Sequence, residues 1–239
     1  MSWALAENGA KVWLNGRNKE KLNILKNKIL SAGYKADVAA FDITDELEVN
    51  SFFNNLPGQK LHVLINNAYA GTGGGTLSAT PKDFSLSYDV TVTSAFVCFK
   101  AALPLFIAAQ NAGEGTSVIN VGSMYGSVSP DLRIYGDGVV ANPPFYGAAK
   151  AGLAQLTRYV ACEYAKKGIR ANTISPGPFP SSSVKKELPE FVDKLCEKSP
   201  MGRVGQRDEI KGAVTFLASD ASSYVTGINL PVDGGWTAL

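Results

Sequence analysis

The chain contains little histidine, little cysteine and no large excess of one charge, and each shortage argues against a class of function. His62 is the single histidine among 239 residues, which argues against a Ser-His-Asp triad or a metal site with several histidine ligands. Cys98, Cys162 and Cys196 are odd in number and widely spaced, which predicts buried thiols in a reducing compartment without a disulfide framework. A net charge of +2 without a long basic block predicts a small molecule as partner, and neither nucleic acid nor an anionic membrane surface.

Long apolar runs are lacking as well. No apolar run in the sequence reaches about 18 residues, the length needed to span a bilayer, and the amino terminus has no basic region followed by an apolar one. These absences predict a cytoplasmic chain that neither crosses a membrane nor is secreted. The length suits one α/β domain over residues 1–239.

Apolar segments with strand-like and helix-like patterns alternate along the chain. Strands are predicted at 11–15, 36–41, 62–66, 117–122 and 171–175, and helices at 19–32, 46–56, 83–110 and 145–167, followed by a final helix and strand. Pro104 is expected to bend the long third helix. This alternation predicts a doubly wound, Rossmann-like parallel sheet.

Tyr146 and Lys150 form the pair that points most directly to chemistry. Their spacing places both side chains on one face of the predicted helix, about 5 to 6 Å apart at Cβ. A unit charge about 4 Å from a phenol, at an effective dielectric of about 20, is worth about 4 kcal/mol or about three pKa units. The pair therefore predicts a phenol that titrates near neutrality and serves as a general acid and base. Considered alone, the same spacing also fits a surface pair with an ordinary phenol pKa.

Ser123 supplies a context for this pair, because it follows a predicted buried strand, and open α/β sheets bind ligands at the carboxyl ends of strands. Three further segments have recognisable residues in matching order: Asn66-Asn67-Ala68, Ile169–Gly177, and Val225–Gly227 with Val232–Gly235. Together these five motifs resemble the short-chain dehydrogenase/reductase family over nearly the whole chain.

The resemblance implies a role for each motif. Ser123 would hydrogen-bond the substrate oxygen, Tyr146 would move the proton, and Lys150 would hold the nicotinamide ribose while lowering the phenol's pKa. The cofactor-binding residues that it implies are Arg17, Asp42, Asn67, Ala68, Tyr146, Lys150, Pro176 and Gly177. It also implies a homo-oligomer, either a dimer or a homotetramer.

Arg17 and Asp42 each have two possible roles in the sequence. Arg17 stands where the family contacts the adenosine ribose, and a guanidinium there favours a 2′-phosphate, hence NADP(H) over NAD(H). The alternative is a solvated turn arginine. Asp42 would contact the adenine amine or cap the following helix, and the two roles are compatible.

Several positions depart from the family's pattern. Thr91 occupies the place of the usual asparagine of the catalytic set, which puts a water-mediated proton relay in doubt. Tyr69 replaces a glycine and would crowd the nicotinamide side. The segment from Ser123 to Tyr146 is longer than usual, and its polar residues would contact a substrate such as a sugar derivative, or else form a solvated loop. Those residues are Asp131, Arg133, Tyr135 and Asp137. Residues 178–186 resemble the start of a substrate lid and also have the composition of a mobile loop.

The resembled family begins with a strand and a glycine-rich turn that seats the pyrophosphate. Residues 1–10 resemble the later part of its first helix, and Gly71–Gly75 follows a later strand and lacks the third glycine of G-x-G-x-x-G. The sequence therefore predicts an amino-terminally truncated fold without its central first strand. Two functions stay open. One is an NAD(P)-dependent oxidoreductase that interconverts an alcohol and a carbonyl on a small polar substrate. The other is a non-catalytic fragment or interaction protein that has lost cofactor binding.

Overall fold

The computed structural model describes residues 1–71, 73–136 and 140–238. Its six strands are β1 (Lys11–Gly16), β2 (Lys35–Ala40), β3 (Val63–Asn66), β4 (Thr116–Val121), β5 (Ile169–Pro176) and β6 (Asn229–Val232). Its α-helices are α1 (Ser2–Glu7), α2 (Lys19–Ser31), α3 (Glu46–Asn54), α4 (Pro81–Tyr88), α5 (Ser94–Asn111), α6 (Pro144–Tyr164), α7 (Ser182–Glu187), α8 (Pro189–Lys198) and α9 (Glu209–Ala218). The predicted elements are all present, with ends shifted by one or two residues in most cases.

The strands pair in parallel, which confirms the predicted α/β class. β1 pairs with β2, and β3, β4, β5 and β6 form a second ladder in that order. Neighbouring residues of β4 face opposite layers: Val118 packs among α3, α5 and α6, whereas Ile119 packs among α1 and α9. Because side chains alternate along a strand, helices cover both faces of the sheet, as the doubly wound prediction requires.

The two ladders are joined by side chains. Within the described ranges β1 and β3 share no ladder. Instead Trp13 of β1 and Leu64 of β3 pack on the same core cluster, which contains Phe99 and Phe106 of α5. The ring of Trp13 also meets Phe52 edge to face, with centroids 5.7 Å apart. Aromatic packing of this kind holds β1 and β2 against the rest of the domain.

Helix starts follow the local sequence. The Asn18 side chain accepts from Lys21 N at the start of α2, and Asp45 accepts from Leu47 N and Glu48 N at the start of α3. Thr80 and Asp83 form a reciprocal capping box at α4. These side chains bond N–H groups that have no partner inside the helix, so each fixes where its helix begins.

The long helix predicted at 83–110 has a π-helical turn in its middle. α4 continues through the π-turn Asp89–Thr93 into α5, and Pro104 lies inside α5. The whole helix, Pro81–Asn111, is long and apolar enough by composition to cross a membrane, which the sequence analysis did not anticipate. Half of its most apolar window is buried in the protein. Packing in the core therefore accounts for the buried half of that window.

Two expectations are corrected by burial and by local structure. Cys98 is buried, but Cys162 is exposed and Cys196 half-buried, so the prediction of three buried thiols was wrong. Residues 182–198 form α7 and α8, with the Ser181 side chain accepting from Val184 N. The composition of residues 178–186, which include most of α7, also suggested a mobile loop, because serine and proline are common both in loops and at helix starts.

Candidate active site

The predicted site residues follow the carboxyl ends of parallel strands. Arg17 follows β1 and Asp42 follows β2, while Asn67, Ser123 and Gly177 follow β3, β4 and β5. Strands that run in parallel end at the same edge of their ladder, so each ladder presents its own set of polar groups. The edge of the β3–β6 ladder carries the residues expected to do chemistry.

Ser123 is fixed by the turn that follows it. Its backbone is extended, and its Oγ accepts a 3.1 Å hydrogen bond from Tyr125 N at the start of a short 3₁₀ turn, Met124–Gly126. The residue is buried. Because Oγ accepts this bond through a lone pair, the hydroxyl proton is still available to donate to another acceptor.

Two glycines bring the helix of Tyr146 against this turn. A Cβ at Gly147 would lie 2.6 Å from Tyr125 O, and one at Gly126 would lie 3.0 Å from Lys150 C. The first distance is too short for a side chain and the second is tighter than most Cβ contacts, so α6 and the 3₁₀ turn touch through bare backbone. This close approach places Tyr146 and Lys150 beside Ser123. The importance of these two glycines could not be predicted, because a contact between distant segments leaves no local sequence pattern.

Lys150 is an almost fully buried lysine, with 3% of its surface exposed. Its Nζ donates a 2.6 Å hydrogen bond to Val121 O at the end of β4 and lies 5.8 Å from the centre of the Tyr146 ring. Burial disfavours the charged form and lowers the pKa of Lys150 to about 8. At pH 7 the ammonium is still charged.

Tyr146 does not have the depressed pKa expected from its spacing to Lys150. Burial raises its pKa above the ordinary value, and the neighbouring Ser123 hydroxyl partly opposes this rise. The expectation was wrong because burial disfavours the charged phenolate more than the Ser123 hydroxyl favours it. In this structure Tyr146 is a neutral phenol, ready to donate a proton.

Thr91 lies in the π-turn, with 2% of its surface exposed. In the part of the chain that the structure describes, its Oγ1 has no hydrogen-bond partner. The π-turn itself packs against α6. A buried hydroxyl without a partner is costly, and the structure does not connect it to Lys150 or Tyr146.

Arg17 and Asp42 are brought together at the other edge. Their charged atoms lie 3.7 Å apart, and the Arg17 side chain is 80% exposed. Asp42 Oδ1 accepts from both the amide and the hydroxyl of Thr44, and these bonds, followed by Arg17, lower the pKa of Asp42. Asp42 thus closes a turn, while Asp45 caps α3. The prediction of a helix cap at Asp42 was wrong, because the cap lies three residues later, at Asp45.

Asn67 and Ala68 are exposed at the end of β3. The preceding Asn66 donates to Asn120 Oδ1 at 2.8 Å, and Asn120 donates to Thr157 Oγ1 of α6 at 2.8 Å. This buried chain ties β3 and β4 to the helix of Tyr146. Sequence reasoning missed it, because two of its three residues lie outside the motifs.

Pro176 and Gly177 end β5 against the final turn of the chain. Gly177 N donates to Val232 O at 3.0 Å, and a Cβ at Gly177 would lie 2.5 Å from Asp233 Cα. Glycine is therefore required here by packing. Its backbone remains at the same ladder edge as Ser123.

The polar loop before α6 bonds largely to protein. Asp131 pairs with Arg133 at 2.9 Å and with Lys198 at the end of α8 at 2.6 Å, and both bonds hold its pKa below the usual range. Tyr135 Oη lies 3.1 Å from Tyr125 Oη. Asp137 lies outside the described residues. These pairs anchor the loop to α8 and to the 3₁₀ turn, so the predicted contact with a sugar-like substrate has no direct support from them.

Comparison with known proteins places the chain in a large group of oxidoreductases. A family model described as enoyl-(acyl carrier protein) reductase matches residues 1–237. A tropinone reductase homologue from Arabidopsis thaliana is 34% identical over 98% of this chain and 85% of its own length. The cis-4-hydroxycyclohexanecarboxylate dehydrogenase of Sinomonas cyclohexanicum is 34% identical over 98% of this chain and 90% of its own length.

Solved structures give the same assignment for the fold. The crystal structure of a gluconate 5-dehydrogenase from Burkholderia cenocepacia, in complex with NADP and tartrate, superposes with a TM-score of 0.85 at 30% identity. The match covers 100% of this chain and 89% of that one. Because matches span nearly the whole chain, they do not confirm the predicted loss of a first strand and glycine-rich turn.

Proposed function

The chain belongs to the short-chain dehydrogenase/reductase family, and from this premise we propose that it is an NAD(P)-dependent oxidoreductase acting on a small polar carbonyl or alcohol. One observation carries the proposal. Ser123, Tyr146 and Lys150 meet at one ladder edge, through the close backbone contacts at Gly147 and Gly126. Such a contact fixes the three groups relative to one another before any ligand binds.

Each residue has a distinct task in the proposed reaction. The nicotinamide cofactor, when bound, supplies or accepts the hydride. Ser123 donates a hydrogen bond to the substrate oxygen, and Tyr146 gives its phenolic proton to that same oxygen as the carbonyl is reduced. In the reverse direction Tyr146 takes the proton back. The raised pKa of Tyr146 suits donation, because the phenol is protonated at neutral pH.

The residues present suit the nicotinamide end of a dinucleotide. The Lys150 ammonium has three N–H donors, and among the described residues only Val121 O is bonded to it. The remaining donors match the two hydroxyls of a ribose. Asn67 and the backbone of Pro176–Gly177 lie at the same edge and would contact the nicotinamide itself.

Arg17 supports a preference for NADP(H). Its guanidinium is exposed at the end of β1, beside Asp42, where it can form charge-assisted bonds with a 2′-phosphate. The related gluconate 5-dehydrogenase structure contains NADP. Thr91 remains a proposed member of the catalytic set, with its unpaired hydroxyl as support.

The names of the relatives favour a small polar substrate. One relative is a dehydrogenase of a hydroxycyclohexanecarboxylate and another is a gluconate 5-dehydrogenase. A hydroxylated carboxylate, such as a sugar acid, is therefore the first class to test. The three free thiols suit the proposed cytoplasmic location.

A homo-oligomer, dimer or tetramer, is proposed from exposed aromatic side chains on adjoining helices. Tyr88, Phe96 and Tyr159 are each about half exposed or more, and Tyr88 lies next to Gly152 of α6. Exposed aromatics of this kind are typical of surfaces between subunits. Sedimentation velocity would detect a species of twice or four times the chain mass.

A second candidate is a non-catalytic interaction protein. It is favoured by the absence of a G-x-G-x-x-G turn from the sequence, since that turn seats the pyrophosphate. Titration calorimetry with NADP⁺ measures cofactor binding, and assays of NADPH oxidation with 5-ketogluconate and simple ketones measure turnover. Together they distinguish an enzyme from an interaction protein. Micromolar binding and turnover support the enzyme. Absence of both, in folded protein, supports the interaction protein.

A further inference from the structure

Tyr69 lies directly against the phenol that the proposed function depends on. It follows Ala68 after the end of β3, and its ring is perpendicular to the Tyr146 ring with centroids 4.8 Å apart. Its side chain is 38% exposed. One side of Tyr69 therefore covers Tyr146 while another faces solvent.

The loop after Tyr69 is anchored at two points near the start of α6. A Cβ at Gly71 would collide with the Tyr69 hydroxyl and would lie 2.8 Å from Phe145 Cε2. Gly74 N donates to Ala141 O at 3.1 Å. These contacts place the backbone of Gly71 beside the Tyr69 ring, which itself lies against the Tyr146 ring.

A second group of side chains packs with Tyr146. The cluster of Met124, Tyr125, Ile134, Leu195, Val204 and Trp236 is buried, and Tyr146 and Tyr135 pack on it. The hydroxyls of Tyr125 and Tyr135 lie 3.1 Å apart. Tyr146 is thus bounded both by this cluster and by Tyr69.

Both neighbouring phenols remain neutral. Burial, with a smaller effect of Tyr146, raises the pKa of Tyr69 to about 12. Burial also raises the pKa of Tyr125, to a value above that of Tyr69. Neither carries a charge at neutral pH. Their effect on a substrate is therefore one of shape and hydrogen bonding.

We propose that Tyr69 is a specificity-determining residue, whose ring limits the width of the carbonyl compounds that reach Tyr146. This inference rests on the proposed function. A reacting carbonyl oxygen must come within about 2.6 to 3.2 Å of the Tyr146 hydroxyl, and the Tyr69 ring occupies one side of that approach. A substituent on that side of the carbonyl meets the ring, whereas a narrow substrate passes beside it.

The test compares two ketones that differ by one fused ring, cyclohexanone and 2-decalone, with NADPH as cofactor. Tyr69→Ala removes the ring, and Tyr69→Phe is the matched control, because it keeps the ring and removes only the hydroxyl. We expect the ratio of kcat/KM for 2-decalone to that for cyclohexanone to rise about tenfold or more in Tyr69→Ala. The same ratio should stay within about twofold in Tyr69→Phe.

Failure of the inference about Tyr69 and failure of the proposed function give different results. Tyr69→Ala that reduces cyclohexanone with an unchanged ratio overturns the inference and leaves the proposed function standing. Wild-type protein that reduces no carbonyl compound contradicts the proposed function, and a measurement without turnover then decides about Tyr69. Tyr69→Leu provides a second variant should Tyr69→Ala unfold.

The measurement that needs no turnover is nitration of Tyr146 by tetranitromethane. The extent of nitration is read by mass spectrometry of the peptide that contains Tyr146. A ring that covers Tyr146 slows the reagent, so Tyr69→Ala should be nitrated at Tyr146 several times faster than wild type, and Tyr69→Phe at the wild-type rate. Equal rates in all three proteins overturn the inference. The same experiment needs no cofactor.

Discussion

The two ladders hold their polar side chains in different ways. At the edge of the β3–β6 ladder, Ser123 and Lys150 are buried, and each makes a backbone hydrogen bond of 3.1 Å or less. At the edge of the β1–β2 ladder, Arg17 is 80% exposed and its closest ion pair spans 3.7 Å. Water screens the second arrangement and not the first. The residues proposed for chemistry at the buried edge are therefore held in place before a ligand binds, whereas the exposed edge is proposed only to tune cofactor affinity.

Among changes at the buried edge, removal of the Tyr146 hydroxyl should lower kcat most. Tyr146→Phe lacks the proton that the proposed reaction transfers, so we expect kcat to fall by about 10² to 10⁴, with little change in the free energy of unfolding. Steady-state kinetics on the most reactive ketone, beside a urea melt, measures both. Activity within about tenfold of wild type would mean that another group donates the proton.

The next largest fall in kcat is expected when the backbone contact between α6 and the 3₁₀ turn Met124–Gly126 is disturbed. In Gly147→Ala the new methyl group meets Tyr125 O at 2.6 Å, so α6 must shift away from the 3₁₀ turn. A shift of about 1 Å can lower kcat about 10²-fold, and overpacking costs about 1 to 3 kcal/mol of stability.

Gly212→Ala is the matched control, because Gly212 also lies in a helix and a Cβ there meets nothing within 4 Å. It should gain about 1 kcal/mol from helix propensity and leave kcat unchanged. If both variants behave alike, the contact at Gly147 does not position Tyr146.

A change at the exposed edge should be smaller and confined to one cofactor. Arg17→Ala is expected to weaken NADPH binding about tenfold, through loss of a charge-assisted bond, and to leave NADH binding nearly unchanged. Arg17→Lys should recover part of the loss. Dissociation constants from calorimetry measure the effect, and equal losses for both cofactors would show that Arg17 does not bind the 2′-phosphate.

The last expected effect concerns stability and not activity, and it is the dependence of stability on pH at Lys150. Burial lowers its pKa from 10.5 to about 8, so between these values the unfolded chain binds more protons than the folded chain. Stability then rises with pH across that window. Compared with Lys150→Met, wild type should gain stability between about pH 8 and pH 10 and show no such gain between about pH 6 and pH 7. Urea midpoints of both proteins test this, and parallel profiles would contradict it.

The order of elements could be predicted because apolar spacing and turn residues are local features. Strand β4 and helix α6 were predicted within one to three residues of their ends, and Ser123, Tyr146 and Lys150 were expected together. The π-turn at Asp89–Thr93 was missed, since one wider turn hardly alters helical periodicity. α7 was missed because the prolines and serines of residues 178–183 are also common in loops.

Properties that depend on tertiary contacts could not be predicted. The raised pKa of Tyr146 and the exposure of Cys162 depend on which segments cover them. The roles of Gly126 and Gly147 arise from two backbones that touch, about twenty residues apart in sequence. Spacing alone identifies which residues can meet, and burial decides how acidic they are.

The central claim is that a carbonyl at the buried edge receives a hydride from the bound nicotinamide cofactor and a proton from Tyr146, and isotope transfer tests it most directly. NADPH carrying deuterium at the transferable position is incubated with the protein and a set of ketones that includes 5-ketogluconate and cyclohexanone. The product alcohol is then analysed by mass spectrometry. We expect wild type to form an alcohol with deuterium on the former carbonyl carbon, and Tyr146→Phe to form little or none. An alcohol without deuterium, or equal labelled product from both proteins, would contradict the claim.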